Sequence, residues 1–415
     1  MTRGWIKTTL GEICDRGQAR IQTGPFGSQL HSHDYQPVGV PVVPTEGIGR
    51  RRLRNNVIPR VSEAVADRLS RHKLQIGDIL FARRGAQATG LSALVEPKQA
   101  GWLCGTGAIL LRIETPDIDS TFLSFVLSSD GAISWLKSHA VGAVMPNLNE
   151  GVLRRLPLCL PALPEQQFIA SVLGALDDKI EMNRLMIETL EEMAQTTFKS
   201  WFLDTSTKLP KGVQKSQLGE HVEVIKGLSY KGSGLADEGV PLHNLNSIYE
   251  GGRYKHEGLK HYTGEYRDRH ICLPGDVIVA NTEQGHEYLL IGYPAIIPKH
   301  YGNFGLFTHH VYRVRPLPGS LLTNHFIYLL LLTTSVREQV IGHTNGTTVN
   351  ALAKSGIEQA AFALPPAERI AEFERIVAPM FDQQEILFEE SRTLAELRDA
   401  LLPKLLSGEL RVPVK

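Results

Sequence analysis

Residues 160–202 read LPALPEQQFIASVLGALDDKIEMNRLMIETLEEMAQTTFKSWF. Two prolines open the stretch, and about forty residues then follow without another and with one glycine, which is the pattern of an uninterrupted helix. Such a helix spans roughly 60 Å at about 1.5 Å per residue. A compact domain rarely needs a rod of that length, so the rest of the chain must be organised around it.

The rod occurs twice. LPALPEQQ at 160–167 has a counterpart in LPPAERI at 364–370, and GAVMPNL at 142–148 aligns with GTTVNAL at 346–352 at an offset of 204. Leu190 with Leu394, Phe198 with Leu402 and Asp178 with Asp382 keep that offset. Nearer the start of each half, LGE occurs at 10–12 and 218–220, and IGDILFA at 76–82 matches PGDVIVA at 274–280. An ordered set of matches at nearly constant spacing marks a duplication. Each half reads as a mixed domain of about 160 residues followed by one long helix, which gives residues 1–160 and 209–364 as domains and 161–208 and 365–415 as helical segments.

Within the domains, GDILFA and GDVIVA read as a tight turn entering a buried strand, and GAILLRIE (107–114) and HVYRVRP (310–316) read as strands. DSTFLSFVLSSDGAISWLKS and TNHFIYLLLLTTSVREQVI read as helices, capped by Asp119 or Ser120 and by Thr323 or Asn324. The fold class is α/β, mixed α+β. Along the first rod, Leu173, Ile180, Ile187, Ala194 and Trp201 fall seven apart, with Leu176 and Leu190 three further on. Along the second, Phe373, Met380, Leu387, Leu394 and Leu401 do the same. Two such stripes of equal length predict that the rods bury each other as a coiled coil, with Asn183 on the seam to fix register.

The chain has 415 residues and a formal net charge of zero, which argues against a nucleic-acid partner until the charge is located. Lys and Arg outnumber Asp and Glu by 19 to 13 in residues 1–160 and by 15 to 13 in 206–365, whereas the first rod carries 3 against 8 and the tail 7 against 10. Basic lobes on a neutral chain can still meet phosphate. The longest apolar run, HFIYLLLLTTSV, is too short to cross a membrane, and the N-terminus lacks the apolar stretch of a signal peptide, so a cytoplasmic protein is expected. Cys14, Cys104, Cys159 and Cys272 are too dispersed for a zinc site and are expected as buried thiols.

Motifs for catalysis are scarce. There is no phosphate-binding loop of the form G-x-x-x-x-G-K-[ST] and no Asn/Asp-Pro-Pro-aromatic element of adenine methyltransferases. HSHD at 31–34 lacks further metal ligands, and the second half has no equivalent. Asp78 with Glu96-Pro97-Lys98 resembles the Asp…Glu-x-Lys arrangement that holds Mg²⁺ in nucleases, and it keeps open the alternative of a Mg-dependent DNA nuclease. Proline at its centre would remove a ladder donor from the strand that normally carries it, and Pro298-Lys299 in the second half lacks an acidic partner. A structural dimerisation protein, with heptads paired between chains, is a third reading.

What remains are polar and basic loops suited to DNA. IGRRRLRNN (48–56) concentrates Arg50, Arg51, Arg52 and Arg54, and phosphate contact is expected there. FARRGAQATG (81–90) carries Arg83, Arg84, Gln87 and Thr89, and its counterpart ANTEQGHEY carries Asn281, Thr282, Gln284 and His286. GHTNGTTVNALAKSG (342–356) adds Asn345, Thr347, Thr348 and Lys354. Arg and Lys suit guanine edges and phosphates, while Asn and Gln suit adenine edges.

The arrangement of domain, proline-flanked LPEQQ helix, domain and helix resembles the specificity (S) subunit of Type I restriction–modification systems. The resemblance covers essentially the whole chain and rests on TGPFGSQL (23–30), GDILFARRG (77–85), MPNLNEGVLRRLPLCLPALPEQQ (145–167), LDDKIEMN (176–183) and LLPKLLSGEL (401–410). The second copy departs from it with LPPAER. The resemblance implies two duplicated target-recognition domains, each reading half of a bipartite, asymmetric site on double-stranded DNA. It implies that two conserved helices pair antiparallel between them as a coiled coil that sets the gap. It further implies modification (methyltransferase) subunits docked beside those helices and a restriction (translocase/nuclease) subunit. S-adenosylmethionine, ATP and Mg would belong to those partners, and this chain would hold no cofactor, metal or catalytic residue of its own.

Overall fold

A computed structural model of the chain describes residues 4–54, 58–85, 87–142, 146–203, 214–285, 287–346 and 349–411. Thr347 and Thr348, with His286 and Met145, lie outside the described residues. The chain divides into two compact units, one made of Met1–Ile180 with Thr393–Lys415 and the other of Glu181–Arg392.

The first unit is built on a four-stranded antiparallel sheet in the order Ala19–Thr23, Ala108–Ile113, Ile79–Ala82, Ser92–Leu94. All four residues of Ile79–Ala82 are fully buried. Ile79 and Phe81 enter one core with Phe122 and Leu123, while Leu80 and Ala82 enter a second with Val43, Ala93 and Cys104. Both faces of the strand are covered, which is why GDILFA shows an apolar run and no alternation. The preceding turn needs Gly77 at φ +88° and an aspartate. Asp78 accepts the Gln75 N–H at 2.7 Å and both arms of the Arg112 guanidinium at 2.7 and 2.6 Å.

The second unit repeats this plan. Its four-stranded sheet runs Val222–Lys226, Val311–Pro316, Val277–Ala280, Pro294–Ile296. Asp276 accepts the Leu273 N–H at 2.7 Å and the Arg315 fork at 2.7 and 2.5 Å. The repeated Gly-Asp thus closes a turn and anchors an arginine of a neighbouring strand in both copies. A smaller mixed sheet accompanies each main sheet, built around Val40–Val43 in the first unit and Val240–His243 in the second.

Two expected helices are each two helices. Ser120–Leu127 is capped by Asp119, and Asp130–His139 restarts after Ser129, whose hydroxyl accepts the Ala132 N–H at 3.3 Å. Asn324–Leu332 is capped by Thr323, and Thr334–Ile341 restarts after Thr333. The hydroxyl residues inside the apolar runs were the sequence signal for these breaks.

Both rods are helices of 40 residues, Leu163–Phe202 and Ala367–Leu406. Their pairing is antiparallel within each unit. In the first unit Arg398 donates to Asp177 at 2.6 Å, and Leu173 shares a core with Leu405. In the second, Asn183 donates to the Glu390 carboxylate at 2.8 Å, and Phe198 packs edge-on against Phe373 at 5.6 Å. Leu173, Asn183 and Leu387 are buried, and Ile180, Ile187, Leu190, Met380, Leu394 and Leu401 are half-buried. Asn183 also donates to the Leu387 carbonyl at 3.4 Å, a polar contact on the seam that a shifted register would break.

Candidate nucleic-acid interface

The arginine-rich segment of the first unit is a hairpin-like turn. Ile48 pairs with Leu53, the Gly49 N–H donates to the Arg52 carbonyl at 3.1 Å, and Arg51 sits in the left-handed region at φ +67°. A non-glycine residue there is uncommon and needs compensation from its surroundings. Arg51 has it. Its side chain is only 7% exposed, its guanidinium donates to Asp177, and it lies over the Phe125 ring at 4.5 Å. Burial pulls the Arg51 pKa below the ordinary value, with Asp177 opposing. Arg52 pairs with Glu96 and, at 2.5 Å, with Asp178, while Arg50 donates to the Ser128 carbonyl at 2.8 Å and pairs with Asp130 at 2.9 Å.

Burial withdraws Arg51 from the four-arginine phosphate site expected from the sequence. Arg51 and Arg52 tie the turn to its own unit through the acidic pair Asp177-Asp178 of the long helix, and Arg50 does so through Ser128 and Asp130. Arg54 is exposed and has no ion pair among the described residues.

Arg83 donates to Asn147 at 3.0 Å, and Thr89 is buried, its hydroxyl donating to the Gly85 carbonyl at 2.7 Å. Thr89 is therefore a turn residue and is not available to a base. Arg84 and Gln87 are exposed. Arg84 lines a cleft of about 320 Å³ with Glu46, Tyr35, Thr45 and the segment Gly105–Gly107.

In the second unit Asn281 is 2% exposed and donates to the His309 carbonyl at 3.0 Å, so it too is structural, contrary to its expected place at an adenine edge. Thr282 is hydrogen-bonded to His310 at 2.9 Å. Gln284 and Asn345 are exposed on the strands Thr282–Gln284 and Thr344–Asn345 of a three-stranded sheet. Lys354 pairs with Glu358 at 2.8 Å and lines a cleft of about 790 Å³. Lys226, Arg267, Arg269, His270 and His309 share that lining, and it carries no carboxylate.

Sequence reading missed Lys226, Arg267 and Arg269. The available signal was DRH at 268–270, which copies SRH at 70–72. Both form short 3-10 turns in which arginine Nε donates to the next histidine's Nε2, at 3.1 Å from Arg71 and 3.2 Å from Arg269. Accepting at Nε2 requires a neutral imidazole. Burial and the adjacent arginine push His72 down to about 4 and lower His270.

The nuclease-like pattern does not assemble. Asp78 is 1% exposed and held by Arg112, and Glu96 is paired with Arg52 and Lys98. Among the described residues no group of three His, Cys, Asp or Glu could hold a metal ion. All four cysteines are unpaired thiols, Cys104 and Cys272 buried and Cys14 and Cys159 half-buried. No helix among the described residues is long and apolar enough to cross a membrane.

Comparison with known proteins adds an independent result. Residues 3–192 and 210–387 match the model of the family described as Type I restriction modification DNA specificity domain. The Type I restriction enzyme MjaIX specificity subunit of Methanocaldococcus jannaschii is 26% identical over 316 residues, covering 71% of this chain and 69% of that protein. The putative MjaX specificity subunit of the same organism is 23% identical across 98% of this chain and 96% of its own length. Among solved structures, the S subunit of a Type I restriction–modification system from M. genitalium superposes with a TM-score of 0.59 at 16% identity, covering 97% of this chain and 96% of that one. That likeness is one of fold.

Proposed function

The chain belongs to the Type I restriction modification DNA specificity family, and from that premise we propose that it chooses the DNA sequence on which a Type I restriction–modification complex acts, and that it neither cuts nor methylates DNA itself. Each unit then supplies one reader for half of a bipartite, asymmetric site. The observation that carries this reading is the carboxylate-free cationic cleft of the second unit, where Lys226 and Arg267 have no side-chain partner among the described residues. In the first unit Arg54 and Arg84 are exposed and have no ion pair among the described residues. Gln284 and Asn345 remain candidates for contact through their exposed amides, and Lys354 through the cleft it lines.

Cations that neutralise phosphates release counterions, so their removal shows in the salt dependence of binding. Replacing Lys226 and Arg267 together by alanine lowers the slope of log K against log salt by roughly 0.9 per lost phosphate contact, with little change in sequence preference. The measurement is a fluorescence titration of a site-bearing duplex at several salt concentrations with the assembled complex. An unchanged slope would remove the cleft from the interface.

The partners follow from the same reading. Met182, Leu185, Met186 and Met193 lie along one side of the first long helix and are 46–61% exposed. We place a modification subunit on that stripe, with a restriction subunit joining the complex, and assign S-adenosylmethionine, ATP and Mg to those partners. A cytoplasmic location fits a protein that acts on DNA beside them. Met186→Glu places a charge in the stripe and weakens association with the companion methyltransferase subunit by about tenfold or more. Wild-type affinity in a co-purification titration would contradict that assignment.

A further inference from the structure

Both units build the same small corner beyond the smaller sheet. In the first, Val40–Val43 leads into the 3-10 turn Thr45–Gly47, and the returning Arg54 N–H donates to the Gly47 carbonyl at 2.8 Å. In the second, Val240–His243 leads into Leu245–Ser247, and the returning Lys255 N–H donates to the Ser247 carbonyl at 2.9 Å. Ile48 pairs with Leu53 and Ile248 with Tyr254, and Arg51 and Arg253 occupy the bends at φ +67° and +76°. The two corners share this path and the returning hydrogen bond, with one residue more in the second loop and an Asn244 side-chain cap where the first has Pro44.

They differ at the middle residue of the turn, which is Glu46 in the first unit and Asn246 in the second. Both side chains are exposed, and neither makes a hydrogen bond or ion pair among the described residues. Their surroundings are rigid. Thr45 donates to the Gly107 carbonyl at 3.2 Å beneath Glu46, and the Asn246 N–H is held by the Asn244 side chain at 2.9 Å. Gly258 lies so close that a Cβ there would stand 1.8 Å from the Asn246 carbonyl oxygen. A free polar tip on a fixed base is the arrangement that direct reading of a base edge requires.

Glu46 lines the 320 Å³ cleft with Arg84 and does not pair with it. An ionised carboxylate only accepts hydrogen bonds and is repelled by phosphate. On a face flanked by the exposed cations Arg54 and Arg84, the DNA groups that suit it are base amino groups, above all N4 of cytosine. A carboxamide offers one acceptor beside one donor pair and matches N6 and N7 of adenine. We infer that Glu46 and Asn246 are equivalent specificity-determining residues, Glu46 reading a cytosine in one half-site and Asn246 an adenine in the other. This rests on the proposal that each unit reads DNA.

The test is to map modified bases in cells that carry the companion methyltransferase subunit with wild-type chain, E46Q or N246A. Glutamine suits adenine, so E46Q moves the preference at a single position of one half-site from cytosine toward adenine, by roughly 10- to 100-fold. N246A leaves one position of the other half-site degenerate. Sites identical to wild type in both variants, or changes spread over several positions, overturn the inference. If E46Q abolishes methylation, selection of bound duplexes from a random pool by the assembled E46Q complex decides, and an unchanged preference there overturns it too. Methylation that does not depend on the wild-type chain at all would instead defeat the DNA-reading proposal beneath it.

Discussion

Arg51→Ala lowers the stability of the first unit by about 3 kcal/mol, whereas Arg52→Ala costs about 1 kcal/mol or less and Arg54→Ala nothing measurable. The ranking follows from burial. The Arg51 side chain is 7% exposed and Asp177 is 6% exposed, so removing the guanidinium leaves one oxygen of a buried carboxylate without its cation. Arg398 still holds the other oxygen at 2.6 Å, which keeps the loss at the lower end for a broken buried pair. The contact with the Phe125 ring is lost as well. Arg52 is 22% exposed and one of its partners, Asp178, is 73% exposed, so water screens much of that bridge. Hydrogen exchange followed by peptide checks this, since removing Arg51 should make residues around 48–54 and 170–180 open more readily and exchange faster. The same variants separate structure from DNA contact. Arg54→Ala shallows the salt slope of binding, and Arg51→Ala at a temperature where it is folded leaves that slope alone. Equal stability of all three variants would mean that the arginine cluster is a surface feature after all.

Acidification destabilises the second unit ahead of the first. His243 is fully enclosed and hydrogen-bonded to the Tyr254 hydroxyl at 2.7 Å. His256 lies flat against Phe388, with ring centroids 3.5 Å apart, and its Nδ1 is 2.9 Å from the Tyr301 hydroxyl. Burial pushes both imidazoles down to about 3, with His300 adding to the effect at His256. Each stays neutral when folded and takes a proton when unfolded, so between about pH 6.5 and 3 the unfolded chain binds more protons and stability rises with pH. The contribution is complete above the ordinary histidine value and is lost progressively below it. At pH 5 each of these histidines costs about 2 kcal/mol. Glu374 acts in the same direction lower down. Burial raises its pKa, but hydrogen bonds from His325 and Thr323 outweigh that and leave it below the ordinary carboxylate value. Among the described residues of the first unit, His72 alone is in this class, pushed down to about 4 by burial and Arg71. Exchange protection measured per peptide at pH 7 and pH 5 should fall mainly in residues 214–364. Equal losses in both units would mean that His243 and His256 are reached by water.

The long helices were legible because nothing competes with a proline-free heptad stripe, and the structure ends both at 40 residues. The duplication was legible at Gly-Asp because that pair has a fixed backbone task, a positive φ followed by a carboxylate that closes the turn and holds an arginine. The corner around Glu46 and Asn246 was not legible. IGRRRLR and IYEGGRYK share a fold and almost no residues, since only the bend and the apolar pair beside it are constrained. The arginine cluster misled for a different reason. Its counter-charges, Asp177 and Asp178, lie about 125 residues further along a helix whose acidity was visible but whose neighbours were not. Thr89 and Asn281 misled because a short polar side chain serves a turn or a carbonyl as readily as a base.

On the proposed function, this chain supplies the sequence choice of a methylating complex and reads DNA in two halves. Sequencing that reports base modification, in cells expressing the companion methyltransferase subunit with and without this chain, tests it most directly. The expected result is one recurring site made of two specified halves around a fixed stretch of unspecified bases, present with the chain and absent without it. The same sites modified without the chain, or a single uninterrupted site, would contradict it.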